Sequence, residues 1–414
     1  MKKTFIANRI KQFTAGAVVA ALAFTATACD TGNEGADSTT TSAGTGTTAA
    51  GTETADGNSE DPIVIGGLAP LTGPVAVYGT AANNGALLAV DELNANGGIN
   101  GRQIDYIVYD EQGDSEQAIS AFERLVNEDD IVALIGDITT KPSIAVAQRA
   151  AQIGLPMLTP TGTGADITLG KDNVFRVCFI DPDQGTVMAE YVVEDLGLTK
   201  AAVIYNASDD YSVGLAEAFM EHGAEVGLEI VGEETYLADA KDFRTQLTRI
   251  AQSSPEVLYV PDYYGTNILI LNQAREVGLD IPVLGGDGWD GILSVTPEDN
   301  PEEADGVIFT NHFTTTETSD LVEHFVEAYE DKYGETPISF AALGYDAVMM
   351  MAQAISEAGS TESADIVTAL DAIEYDGVTG AITFDENGDP IKPIKFIAVE
   401  GGEYVLDSEK EITR

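Results

Sequence analysis

The chain is poor in basic residues, nearly devoid of cysteine, and low in histidine. Twenty Lys and Arg stand against 69 Asp and Glu, a formal net charge of −49 over 414 residues. Four of those basic residues and none of the acids fall in the first 28 positions, so the remainder carries −53. Nucleic acids and anionic membrane surfaces require cationic patches, which this composition argues against. The acidity itself identifies no ligand. Two cysteines, Cys29 and Cys178, leave no disulfide framework. Cys178 sits in the apolar run "VFRVCFI" and reads as a small buried hydrophobe. The three histidines, His222, His312 and His324, lack metal-ligand spacing. His222 precedes Gly223 at an expected helix end, where a cation suits the dipole. No G-x-S-x-G and no phosphate-binding P-loop occur. "GDGWDG" (286–291) matches G-x-G-x-x-G, but Asp287 and Asp290 would face an anion, and Pro297 cuts the following helix short. With so many acids, carboxylate pairs arise by chance. Nothing here points to an enzyme, a cofactor or a metal.

Long apolar runs are also missing, except at the start. Lys2, Lys3, Arg9 and Lys11 precede an apolar stretch from Phe13 to Ala28, and Cys29 follows. Charge, length and the small-residue ending make residues 1–28 a secretory signal peptide. "TATAC" resembles the bacterial lipobox, with Ala26 where leucine is more usual. That implies a lipidated Cys29 holding the protein to a membrane by its acyl chains; plain cleavage with an unmodified cysteine is the alternative. Residues 29–61 form the anchor and a tether of small, polar and acidic residues that cannot bury enough apolar surface to order. Its root-mean-square reach is about 30 Å. No later stretch reaches the ~18 apolar residues of a membrane span.

The rest exceeds what one core usually supports, so two domains are expected. "IVIGGL", "IDYIVYD", "IVALIGD" and "PMLTP" alternate with helical patterns near 79–96, 116–127 and 143–152. A second series from Arg176 runs helix 183–196, "AAVIYN", helix 210–222, "EIVGEETY", helix 242–252, "VLYVPD", helix 265–277 and "PVLGGD". "GVIFTNHF" leads to two long helices near 318–332 and 340–358, and Asn387-Gly388 predicts a hairpin between "AITFDE" and "IKFIAV". The fold class is α/β, with two Rossmann-like lobes built on parallel sheets. Ligands of such sheets bind beyond the carboxyl ends of strands, where "PLTGPVAVYG", "GDITTKP", "LTPTGTGADIT", "NASDDYSVG", "PDYYGTN" and "GGDGWDG" all fall.

Those loops, with "AVDELNANGGINGRQI", occur in an order that resembles the leucine/isoleucine/valine-binding family of solute receptors for ABC importers, the type I periplasmic binding protein fold. The likeness covers nearly all of residues 62–400. It implies two lobes joined by three crossovers, near 178–182, 308–313 and 376–392. One lobe takes 62–180 plus 312–378 and the other 181–311 plus 379–414. It further implies that Thr139 or Thr140 offers a hydroxyl and N–H to a ligand carboxylate. Thr161 would give a carbonyl to the α-ammonium, and Thr163 would reach both ends. Asp287 would pair with the ammonium, while Tyr78, Tyr211, Tyr263 and Trp289 would wall the cleft. Asp290 reads as solvated, Thr159 and Thr168 as structural, and the glycines of the threonine loop as leaving bare backbone for the ligand to approach.

A zwitterion needs donors for its carboxylate and a negative charge for its ammonium, desolvated together, and these residues supply both. The expectation is a monomeric, extracytoplasmic solute-binding subunit of an ABC importer, capturing a branched-chain or other hydrophobic amino acid and docking on permease subunits. A receptor of the same fold for another small polar solute, such as an amide, urea or aromatic acid, and a sensory receptor remain as alternatives.

Overall fold

The structure is a computed structural model that describes residues 61–297 and 299–412. The signal peptide, Cys29 and the tether to residue 60 lie outside the described residues. Beyond them, the described residues cluster as one compact unit.

The first sheet collects β1 (Ile63–Ala69), β2 (Ile104–Asp110), β3 (Ala133–Ile135), β4 (Met157–Thr159) and β5 (Val174–Arg176). All are parallel, in the order β2-β1-β3-β4-β5. Helices α1 (Ala76–Ala95), α2 (Ser115–Asn127) and α3 (Thr140–Ile153) connect them. The chain then enters α4 (Asp181–Glu190), which continues through a π-helical turn at Tyr191–Asp195. There follow β6 (Lys200–Asn206), α5 (Asp210–Val226), β7 (Glu229–Tyr236), α6 (Arg244–Gln252), β8 (Val257–Tyr259), α7 (Tyr264–Glu276), β9 (Val283–Gly285) and β10 (Val307–Asn311). The parallel part of the second sheet reads β7-β6-β8-β9-β10, the same winding as the first. Both sheets therefore present the carboxyl ends of their inner strands as the edge where loops gather.

After β10 the chain returns to the first lobe with α8 (Asp320–Tyr333), α9 (Ser339–Ala358), α10 (Ser363–Asp371) and a ribbon of β11 (Tyr375–Gly377) and β12 (Gly380–Ile382). Helices α1 and α9 pack backbone to backbone. A Cβ on Gly85 would lie 1.9 Å from the Ala341 carbonyl oxygen, and one on Gly344 2.1 Å from that of Ala82. The last strands, β13 (Ile394–Glu400) and β14 (Glu403–Lys410), add antiparallel to β10 and extend the second sheet.

The expected hairpin at Asn387-Gly388 is only partly there. A turn closes where Asp385 N donates to the Asp389 carbonyl at 2.9 Å, with a single bridge between Phe384 and Pro390. The flanking strands then go to different partners, β12 to β11 and β13 to β10 and β14. Pro390 and Pro393 donate no ladder hydrogen bonds here, and Asp389 is drawn inward to Arg176 at 2.6 Å. Helix α3 begins three residues earlier than its apolar spacing suggested, because Pro142 is tolerated in a first turn. His222 is not at a helix end: α5 runs on to Val226, and the imidazole sits 3.1 Å from Glu190 and 3.0 Å from Glu225. Cys178 is buried and free, its thiol pushed up to about 12 by burial. No helix among the described residues is long and apolar enough to cross a membrane.

Candidate functional site

The threonine-rich loop after β4 is folded by its own hydroxyls. Thr159 Oγ donates to the Asp137 carbonyl at 2.6 Å and accepts from Gly162 N at 2.9 Å. Thr161 Oγ donates to the Ile138 carbonyl at 2.7 Å, and Thr140 Oγ accepts from Gly164 N at 3.1 Å. Arg176, fully buried, clamps the loop from below. Its guanidinium donates to the Gly162 and Gly164 carbonyls at 2.9 and 3.0 Å and to Thr168 Oγ at 2.7 Å. The glycines serve this packing rather than ligand approach. A Cβ at Gly162 would come within 2.8 Å of Ser143, Thr159 and Ile167, and one at Gly164 within 2.3 Å of Thr140. Beside the loop, Thr139 precedes α3 in an extended conformation without capping its own helix. First-turn amides have no intrahelical partners and attract anions.

Asp287 faces this loop from the second lobe. It opens a 3-10 turn after β9 and is 2 % exposed. Its Oδ1 accepts from Tyr211 Oη at 2.9 Å and from Gln184 Nε2 at 3.0 Å. His312 Nε2 lies 3.5 Å from Oδ2. That imidazole is buried, stacks on Phe179 at 3.5 Å between centroids, and is pushed by burial down to about 4. At neutral pH it is uncharged, so these three partners of Asp287 are all neutral. A buried carboxylate left so is short of a cation. Behind Thr163 lies a second acid, Asp181, whose N–H donates to the Thr163 carbonyl at 3.0 Å. Burial, and then the charge of Asp287, hold its carboxyl well above the usual range.

Aromatic rings close the gap. Tyr211 stacks on Tyr263 at 4.9 Å, and Tyr78 stacks on Phe340 at 4.1 Å. Tyr78 Oη donates to the Gly288 carbonyl at 2.5 Å and accepts from Tyr264 N at 3.2 Å, while Tyr264 Oη donates to the Pro74 carbonyl at 3.0 Å. These bonds run from α1 and the loop before it to loops of the second sheet. They hold the two lobes face to face.

Of the residues singled out by sequence, Thr139, Thr140, Thr161, Thr163, Tyr211, Tyr263 and Asp287 line one small space between the lobes. Ile138, Gly288 and Phe340 complete it. Tyr78 stands behind Phe340 and Tyr263 as their support. Trp289 is fully buried away from the space, its Nε1 donating to the Val260 carbonyl at 2.8 Å. Asp290 is not solvated, as the sequence suggested, but 1 % exposed. It accepts from Gly291 N, Asn311 Nδ2 and Ser339 N at 2.9, 3.2 and 2.8 Å. An unfilled helix start, α9, draws it inward. Gln184, Phe340 and His312 were missed. An amide in a helix, an aromatic in an apolar run and a lone imidazole carry no spacing signal. No group of three or more metal-ligating side chains that could hold an ion occurs among the described residues.

Two equally wound lobes facing across a cleft of hydroxyls, amides and one carboxylate define a type I periplasmic binding protein. The chain belongs to the periplasmic binding protein family, whose model matches residues 62–403, and is a binding protein rather than an enzyme. Within that family it is similar to Leu/Ile/Val-binding proteins. It is 35 % identical over 335 residues to the Leu/Ile/Val-binding protein BraC3 of Rhizobium johnstonii, covering 79 % of this chain and 88 % of the relative. The substrate-binding protein LivJ of the branched-chain amino acid transporter of Streptococcus pneumoniae, solved with isoleucine, superposes with a TM-score of 0.79 at 34 % identity. That match covers 85 % of this chain and 99 % of LivJ. The leucine-binding protein LivK of Thermotoga maritima gives 0.79 at 30 % identity over 84 % of this chain and 99 % of LivK.

Proposed function

We propose that the cleft captures one free amino acid with a branched or otherwise hydrophobic side chain and delivers it to an ABC permease for import. The observation that carries this reading is Asp287, a buried carboxylate whose protein partners are neutral, set across a small gap from hydroxyls and the start of α3. The ligand's ammonium meets Asp287, the Thr161 carbonyl and Thr163. Its carboxylate meets Thr139, Thr140 and the first-turn amides of α3. The side chain rests on Ile138, Tyr263 and Phe340. The isoleucine complex of the LivJ relative supports the same ligand class.

Entry requires the lobes to part about the three crossings, which follow β5, β10 and β12, and to close again over the ligand. A lipid on Cys29 and the tether that follows keep the receptor on the outer face of a membrane; retention in the membrane fraction after Cys29→Ala would contradict that anchor. The ligand reading is tested by calorimetry against the common amino acids, on protein unfolded and refolded to strip any bound ligand. Saturable, stoichiometric binding of leucine, isoleucine or valine is expected. No heat from any amino acid overturns it.

A further inference from the structure

Residues next to the cleft wall in sequence line a second, larger cavity: Val77 follows the loop that carries Tyr264's partner Pro74, and Ser339 precedes Phe340. It holds about 1790 Å³ of unfilled space, counting the part open to solvent. Its apolar walls come from both lobes, Val77 and Ile338 from one, Leu293 and Ile397 from the other. At its polar end stands Asp290, buried, accepting hydrogen bonds from the neutral groups already named. Ser339 Oγ lies beside that carboxylate and Tyr404 Oη near the amides of Gly291–Leu293. Both are buried oxygens without an aligned hydrogen bond.

A buried carboxylate without a cation is costly unless something pairs with it. Among the described residues no basic side chain lines the cavity, so a ligand carboxylate would find no counter-charge there. We propose that this cavity is a second ligand site that takes a small organic monocation, an ammonium head on an apolar body. The head meets Asp290 with Ser339 and Tyr404, and the body lies against Val77, Leu293 and Ile338. Carboxylates at the mouth, Glu335 and Glu403, favour approach of cations over anions. Because both lobes contribute walls, an occupant stabilises this arrangement of the lobes. Linkage then requires it to tighten amino-acid binding in the cleft by the factor by which the amino acid tightens its own binding. That coupling rests on the function proposed above; direct binding of the cation does not.

The test is a calorimetric titration of the full chain with 2-phenylethylammonium chloride, without and with saturating leucine, beside the uncharged isostere 2-phenylethanol. Saturable binding of the ammonium, at least about tenfold tighter than the alcohol, is expected. Asp290→Asn should weaken it about tenfold or more, and Asp287→Ala should leave it within about twofold while removing leucine binding. Should Asp290→Asn fail to fold, Leu293→Trp fills the cavity instead, and should abolish ammonium binding while keeping leucine binding. Three results overturn the proposal: no saturable binding, equal binding of the alcohol, or ammonium binding that survives Leu293→Trp. Ammonium binding without any amino-acid binding would sink the cleft reading and leave this one standing.

Discussion

Gln184 and Asp287 exchange hydrogen bonds in both directions: Gln184 Nε2 donates to Asp287 Oδ1 and Asp287 N donates to Gln184 Oε1, each at 3.0 Å. Thr310 Oγ also donates to the same Gln184 oxygen at 2.5 Å. One amide thus fixes both the backbone and the carboxylate of the residue assigned to the ligand ammonium. Gln184→Leu removes these three bonds, and a longer one from Nε2 to Asp181 at 3.4 Å, and leaves buried groups unsatisfied, at ~1–3 kcal/mol apiece. Leucine affinity should fall about tenfold or more by calorimetry. An unchanged affinity would mean that Asp287 is positioned without the amide.

Tyr78 links the lobes through one hydroxyl, donating to Gly288 and accepting from Tyr264. Tyr78→Phe keeps the ring on Phe340 but leaves the Tyr264 N–H and Gly288 carbonyl unpaired. The closed arrangement should lose about 1–2 kcal/mol, read as a roughly fivefold to thirtyfold faster ligand release in stopped-flow displacement. Release at the wild-type rate would remove Tyr78 from the closure.

Glu111 and Asp137 are fully buried carboxyl neighbours beside the loop that leads into α3. Glu111 Oε2 accepts from Gly113 N and Asp114 N at 2.8 and 3.1 Å. Burial, with the charge of Asp137, raises Glu111 far above its ordinary 4.5. The folded state therefore keeps a proton that the unfolded chain loses above about pH 4.5. Its stabilising effect is complete below that pH and is lost as pH rises through the raised native value. Glu111→Gln supplies a permanent N–H donor toward Asp137 in place of that proton. Its thermal midpoint should match wild type near pH 4 and exceed it near pH 9, narrowing the pH dependence. An identical pH profile for both proteins would show that the two carboxyls do not share the proton.

Arg176 joins β5, the threonine loop and the 385–389 turn through its pair with Asp389 at 2.6 Å and its bonds to Gly162 and Gly164. Removing one partner of a buried pair strands the other charge, at about 3–5 kcal/mol. Arg176→Met should lower stability by that amount in denaturant unfolding and loosen leucine binding with it. A loss below about 1 kcal/mol would show that the loop holds without its clamp.

The alternation of apolar runs with helical patterns made the two parallel sheets legible, because strands buried on both faces read as unbroken Val, Ile and Leu. Strand β14 was not legible. It is an edge strand with mostly exposed side chains, and its alternation is masked by Glu403, Asp407 and Glu409. The cleft was read through its loops. The loops stand out because polar residues at strand ends need a reason, and the family likeness picks Thr161 and Asp287 out of them. Phe340 does not stand out, since a ring in the apolar pattern of α9 looks like core. Asp290 and Trp289 show the converse. Both sit in a loop of the right kind, yet a helix start 49 residues away captures one and the core takes the other. Such pairings follow from tertiary placement, which local pattern does not encode.

The central claim is that the Asp287 charge balances a ligand ammonium, and leucine titration of Asp287→Asn at neutral pH tests it most directly. The substitution keeps shape and most hydrogen bonds while deleting the charge. With folding verified by an unchanged thermal midpoint, leucine affinity should fall at least tenfold, about 1.4 kcal/mol. Affinity within about twofold of wild type would contradict the account.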